Sequence, residues 1–100
     1  MILKYIIMIK KVYKFYSDTC RPCGLLTSLL RNTESKELIE DVDISKRLDL
    51  VRKFNIRKVP TLVFVDEEGE LLFSSVGIIT SAEFEKLIKD LEDGDRELGV

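Results

Sequence analysis

The chain has 100 residues, of which 45% are apolar and 34% charged, with a net charge of −2. That suits a single hydrophobic core and excludes a disordered or low-complexity chain. The near-neutral balance argues against nucleic acid as a partner, and the absence of histidine removes Ser-His and Cys-His nucleophile pairs, imidazole ligands and histidine bases.

Residues 2–9 are apolar, but Lys4 breaks the run and Lys10-Lys11 ends it. A spanning helix needs about 20 apolar residues, and a signal peptide needs basic residues first and a cleavage site after. The segment therefore reads as a strand, with a short membrane-associated or targeting segment as the alternative. Val12–Tyr16 is a second strand or a continuation of the first, and it leads into Ser17-Asp18-Thr19, all good helix caps. A helix opens at Cys20–Cys23, carries Leu25, Leu26, Leu29 and Leu30 at helical spacing, and is expected to end near Asn32. Leu38–Ile44 reads as a strand. Ser45 is expected to cap a helix bearing Leu48, Leu50, Val51 and Phe54. After Val59-Pro60, the apolar run Thr61–Val65 is expected to be a strand covered on both faces. Asp66–Gly69 is a turn, and Glu70–Ser75 returns as the second strand of a hairpin. Gly77 ends that strand. Thr80 and Glu83 form a capping box for a helix with Phe84, Leu87, Ile88 and Leu91 on one face. Asp93–Val100 is a polar tail expected to fray. The order predicts one α/β domain over residues 1–100, with its core at about 12–92 and helices flanking a mixed sheet.

The chemistry concentrates at Cys20-Arg21-Pro22-Cys23, between a strand and a helix. A disulfide between residues so close constrains the unfolded chain very little, so stability is a poor reason for the pair. The first turn of a helix carries free N–H groups and a partial positive charge, which stabilise a thiolate. Arg21 adds a cation, and Pro22 suits the first turn. Asp18 acts the other way if it faces the sulfur. On one helical turn Cys23 can reach Cys20 and close a disulfide, as thiol–disulfide exchange requires. The same spacing also fits half of a metal site or two unrelated buried thiols. With no further Cys and no His, a metal would need a dimeric four-cysteine site.

Phe15–Cys23, Val42-Asp43, Phe54–Thr61, Gly69-Glu70 and Val76-Gly77 together resemble the thioredoxin family over roughly residues 12–91. The resemblance implies a thioredoxin-like fold and reversible exchange with protein disulfides. It implies Cys20 as nucleophile, Cys23 as resolving thiol, and a cis Val59–Pro60 bond close to both sulfurs. Val59 would offer backbone groups to an extended substrate. Val76 and Gly77 would complete an apolar rim. Pro60, with no N–H, would also keep metals off the thiols.

The departures from the family are informative. Thr19 stands where the family usually has Trp, and Arg21 where it usually has Gly. Lys14 stands where thioredoxins commonly bury an Asp, and the lysine often near that Asp would correspond to Ile39, so the usual acid–base pair is expected to be missing. A cation at Lys14 would favour the thiolate and make the protein more oxidising, unless the side chain only snorkels to solvent. The usual N-terminal strand–helix unit is trimmed. The size approaches glutaredoxins, but Val76-Gly77-Ile78 lacks their Gly-Gly.

The expected function is a small, monomeric, cytoplasmic protein-disulfide reductase. It would need no cofactor or metal beyond its own dithiol, and a thioredoxin reductase or other dithiol would regenerate it. Neither nucleic acid nor membrane is an expected partner. The alternatives are a glutaredoxin-like donor to an enzyme such as ribonucleotide reductase, and a redox-inert binding module.

Overall fold

The run Thr61-Leu62-Val63-Phe64-Val65 is buried at every position, as expected of a strand enclosed on both faces. The structure is a computed structural model of the chain and describes residues 3–5, 8–92 and 96–98. Its elements are β1 (Leu3–Tyr5), β2 (Lys11–Tyr16), α1 (Arg21–Leu29), a 3-10 turn (Lys36–Leu38), β3 (Ile39–Asp43), α2 (Leu48–Lys53), β4 (Thr61–Val65), β5 (Leu71–Val76), α3 (Ser81–Glu92) and β6 (Arg96–Leu98). One mixed sheet has the strand order β3-β2-β4-β5. β2 and β3 are parallel, and α1 lies in the crossover between them; the other two pairings are antiparallel.

Strand alternation divides the core between the two faces of this sheet. On one face Ile9, Val12, Leu62 and Phe64 pack against Leu26 and Leu30 at the end of α1 and Phe84 and Ile88 of α3. Each of these last two pairs is four residues apart, on one side of a helical path. On the other face Phe15, Val42, Val63 and Val65 pack against Leu50 of α2, with Val51 and Phe54 partly buried around them.

Several boundaries differ from the sequence reading. The helix α1 stops at Leu29, short of Asn32. The Thr33 hydroxyl and the Ser35 amide and hydroxyl donate to Glu85 of α3 at 2.5, 2.8 and 2.9 Å, which draws the chain off the helix axis. Ser45 does not cap α2. Its amide and hydroxyl donate to Asp43 Oδ1 at 2.9 and 2.7 Å in a local turn, and the helix starts three residues later. The capping box before α3 does form: the Thr80 amide donates to Glu83 Oε1 at 2.9 Å and the Glu83 amide to Thr80 Oγ1 at 3.1 Å.

The tail expected to fray contains β6, which pairs antiparallel with β1, Leu3 opposite Leu98. Polar composition forecasts exposure of side chains; it does not prevent backbone groups from finding a ladder partner. The first expected strand is correspondingly short. Ile2, Ile6, Ile7 and residues 93–95 and 99–100 lie outside the described residues.

Candidate active site

Register brings the distant motifs to one end of the sheet. β2 runs toward Tyr16 and hence toward Cys20, and Phe15 lies opposite Thr61 at the start of β4. Val59-Pro60, just before β4, therefore sits at the same end. Thr61 lies opposite Val76, so Val76-Gly77 closes that end from the other side.

Cys20 is the N-cap of α1, with φ −93° and ψ 105°, and Arg21 and Pro22 occupy its first turn. The Cys23 amide donates to Cys20 Sγ at 3.1 Å. The sulfur thus takes the place of the Ser or Asp oxygen that usually caps a helix. Pro22 costs no hydrogen bond, because N–H groups in the first turn have no partner within the helix. Cys20 and Cys23 are joined as a disulfide with their Cα atoms 5.3 Å apart. Cys23 is buried at 5% exposure, whereas Cys20 is partly accessible and Arg21 and Pro22 are exposed. A depression of about 260 Å³ beside the sulfurs is lined by Tyr16, Ser17, Asp18, Gly24 and Thr27. This asymmetry suits exchange chemistry: an attacking sulfur must be reachable, while a resolving sulfur need reach only its neighbour.

The Val59–Pro60 bond is cis. Two hydrogen bonds hold the loop around it: the Thr61 hydroxyl donates to the Lys58 carbonyl at 2.6 Å, and the Gly77 amide donates to the Pro60 carbonyl at 2.9 Å. Gly77 has φ +97°, a conformation that favours glycine. It is therefore both the strand-ending turn and the clasp on the proline loop. Neither backbone group of Val59 has a hydrogen-bond partner among the described residues. Val76 is 62% exposed beside this loop.

Lys14 corrects one expectation. It is buried at 5% exposure on the α1 face of the sheet, so it does not extend freely into solvent. Its Nζ lies 2.8 Å from Asp41 Oδ1 and donates to Thr27 Oγ1 at 2.5 Å. The positions of the usual pair hold Lys14 and Ile39, but a different acid meets the lysine: the parallel register sets Lys14 opposite Asp41 on β3, two residues beyond Ile39. Relative to the arrangement the resemblance implies, the charges are exchanged, with the cation on β2. The Thr27 hydroxyl donates in turn to the Cys23 carbonyl at 3.1 Å, which links the pair to the dithiol helix. Thr27 and Asp41 escaped the sequence reading. The signal for Thr27 was present, four residues after Cys23 on the same helical side. Asp41 needed the register.

A family model described as a thioredoxin-like domain matches residues 9–92. A thioredoxin of Borreliella burgdorferi is 29% identical over 83 residues, spanning 79% of this chain and 70% of its own. The SPbeta prophage-derived thioredoxin-like protein YosR of Bacillus subtilis is 25% identical, spanning 81% of this chain and 98% of its own. Among solved structures, a single-site mutant of a thioredoxin from Halobacterium salinarum superposes with a TM-score of 0.70 at 26% identity, over 81% of this chain and 73% of that one. Thioredoxin-2 of a malaria parasite shares the fold with a TM-score of 0.72 at 20% identity, over 84% of each chain. With its Cys-x-x-Cys pair at the N-terminus of α1, the chain belongs to the thioredoxin family and is a thioredoxin-like oxidoreductase.

Proposed function

We propose that this protein reduces disulfides in protein substrates. The Cys20 thiolate attacks one substrate sulfur, forms a mixed disulfide and releases the other sulfur as a thiolate. The Cys23 thiolate then attacks Cys20 Sγ, breaks the mixed disulfide and releases the second substrate thiolate. Two electrons pass to the substrate, its thiolates take protons from solvent, and Cys20–Cys23 is left oxidised. A thioredoxin reductase or another dithiol donor reduces it again. The chain acts as a cytoplasmic monomer and needs no cofactor beyond this dithiol.

The roles follow from position. Cys20, the more accessible sulfur, attacks, and the buried Cys23 resolves. The free backbone groups of Val59 pair with an extended substrate segment. Pro60 shapes that loop, and Val76 and Gly77 form its rim. Arg21 and Pro22 shape the first turn. Lys14 stabilises thiolate from beneath α1, which favours the reduced form and makes the protein more oxidising than an ordinary thioredoxin. Asp41 offsets part of that charge.

The observation that carries this reading is the Cys23 amide donating to Cys20 Sγ at the helix N-cap. That amide and the helix dipole stabilise a thiolate at Cys20. Insulin turbidity with dithiothreitol as donor tests it. Wild type should accelerate precipitation and Cys20→Ser should not. Equal inertness of the two would leave a redox-inert binding module.

A further inference from the structure

α2 ends in a defined way. Asn55 has φ +53°, its amide donates to the Arg52 carbonyl, and the Ile56 amide donates to the Val51 carbonyl at 2.9 Å. Those are the two bonds of a Schellman cap, with Asn in the left-handed position that glycine usually takes. The cap turns the chain back and stands residues 56–58 beside the sheet edge. Between this segment and β5 lies a groove of about 370 Å³. Phe54, Ile56 and Val76 give it apolar walls, and Arg57 and Lys58 line it. Thr61 also lines it, so the groove lies at the dithiol end of the sheet.

The charge around the groove has one sign. Arg57 and Lys58 follow the cap and line the groove, whereas Lys53, at the end of α2, extends its ammonium toward Gly69 in the Asp66–Glu70 turn. Neither Arg57 nor Lys58 forms an ion pair with a described residue. Four acidic side chains, Asp66, Glu67, Glu68 and Glu70, lie in the turn at the opposite end of β5. β5 itself is an edge strand, with Val76 exposed at its dithiol end. Unpaired cations beside an apolar trough favour an occupant carrying negative charge and an apolar side chain.

We propose that this groove selects substrates. It binds the polypeptide flanking the target disulfide when that segment is extended, acidic and carries a large apolar residue. Arg57 and Lys58 are its specificity-determining cations. The proposal rests on the disulfide-reductase reading, and its test keeps the two separable.

Two cysteine peptides of equal length, each capped as a mixed disulfide with 2-mercaptoethanol, carry either Glu-Phe or Lys-Phe beside the cysteine. Pre-reduced protein is mixed with each, and the second-order rate constants are compared at low and high salt. The Glu peptide should react about tenfold faster at low salt, and the ratio should shrink at high salt. Arg57→Glu with Lys58→Glu should invert the preference. Lys36→Glu with Lys89→Glu, an equal change of net charge elsewhere, should preserve it.

Equal rates for the two peptides at low salt would overturn the proposal, as would inversion by both double variants, which would assign the effect to the overall field. A dimer at assay concentration that Arg57→Glu with Lys58→Glu dissolves would assign the groove to a second copy and also overturn it. Bis(2-hydroxyethyl) disulfide, neutral and too small to use the groove, serves as reference. Its rate should match wild type in Lys36→Glu with Lys89→Glu, and in each variant the two peptide rates are divided by it, which removes any change in the Cys20 thiolate itself. Failure of wild type on this reference would sink the reductase reading itself.

Discussion

The two faces of the sheet are covered unequally. On the first, α1 and α3 close over Val12, Leu62 and Phe64, all fully buried, and the one charge buried there among the described residues, Lys14, has partners. On the second, the single short helix α2 protects Phe15, Val63 and Val65 but leaves Phe54 partly exposed and a groove along β5. Both faces meet the same end of the sheet. The closed face carries the dithiol on α1, anchored through the buried Cys23, Leu26 and Leu30. The open face leaves apolar surface and unpaired cations next to it. On the proposed reading, redox tuning falls to the first face and substrate recognition to the second.

The contrast is tested most severely by aromatic truncation. Phe84→Ala, at a fully buried site whose ring centroid lies 5.7 Å from that of Phe64, should cost about 3–5 kcal/mol in denaturant unfolding. Phe54→Ala should cost clearly less, because that ring is partly solvated already. Equal losses would mean that the two faces are equally closed.

The half-buried Lys14–Asp41 ion pair gives a sharper probe. Asp41 is 58% exposed and Lys14 nearly enclosed, so the two partners are not equivalent. Asp41→Asn leaves an enclosed ammonium with Thr27 alone and should destabilise by about 1–3 kcal/mol. Lys14→Met leaves only a solvated carboxylate and should cost less. A reversed order in thermal melts would show that the ammonium reaches water freely. The redox consequence is smaller. Lys14→Met should raise the Cys20 thiol pKa and move the potential in the reducing direction, by about 30 mV for each pKa unit. An unchanged thiolate titration by ultraviolet absorbance would end the tuning role.

The smallest effect concerns Glu85. Burial pushes its carboxyl up, but hydrogen bonds from the Thr33 hydroxyl and the Ser35 amide and hydroxyl outweigh burial and hold it below the ordinary carboxylate value. A carboxylate depressed in the folded state contributes its full stability above the unfolded pKa and loses it as pH falls through the folded one. Glu85→Gln should therefore cost about 1 kcal/mol at neutral pH and flatten the acid side of the stability curve. A variant whose melting temperature falls with acid as steeply as wild type would assign that slope to other carboxylates.

Much of the site was legible along the chain because its signals are local. The strand–cap–helix passage through Ser17–Cys23, the five-residue buried run and the Thr80–Glu83 box depend on neighbours within one turn or one strand. The α1 end and Ser45 were misjudged for the opposite reason. Glu85, some fifty residues away, pulls Thr33 and Ser35 off the helix path, and Asp43 takes the Ser45 hydroxyl before it can cap. The groove was invisible, since it needs the Asn55 cap and the β5 edge together.

What the amino-acid order determined by itself was the family pattern, the helix N-terminus under Cys20 and the burial of Thr61–Val65, all carried by short-range periodicity and capping. Only the tertiary structure decided which acid meets Lys14, which surface stays uncovered beside the dithiol and that the chain ends can pair. Those depend on strand register and on which helix lies over which face, and a shift of one or two residues changes the partner without changing the composition of any segment.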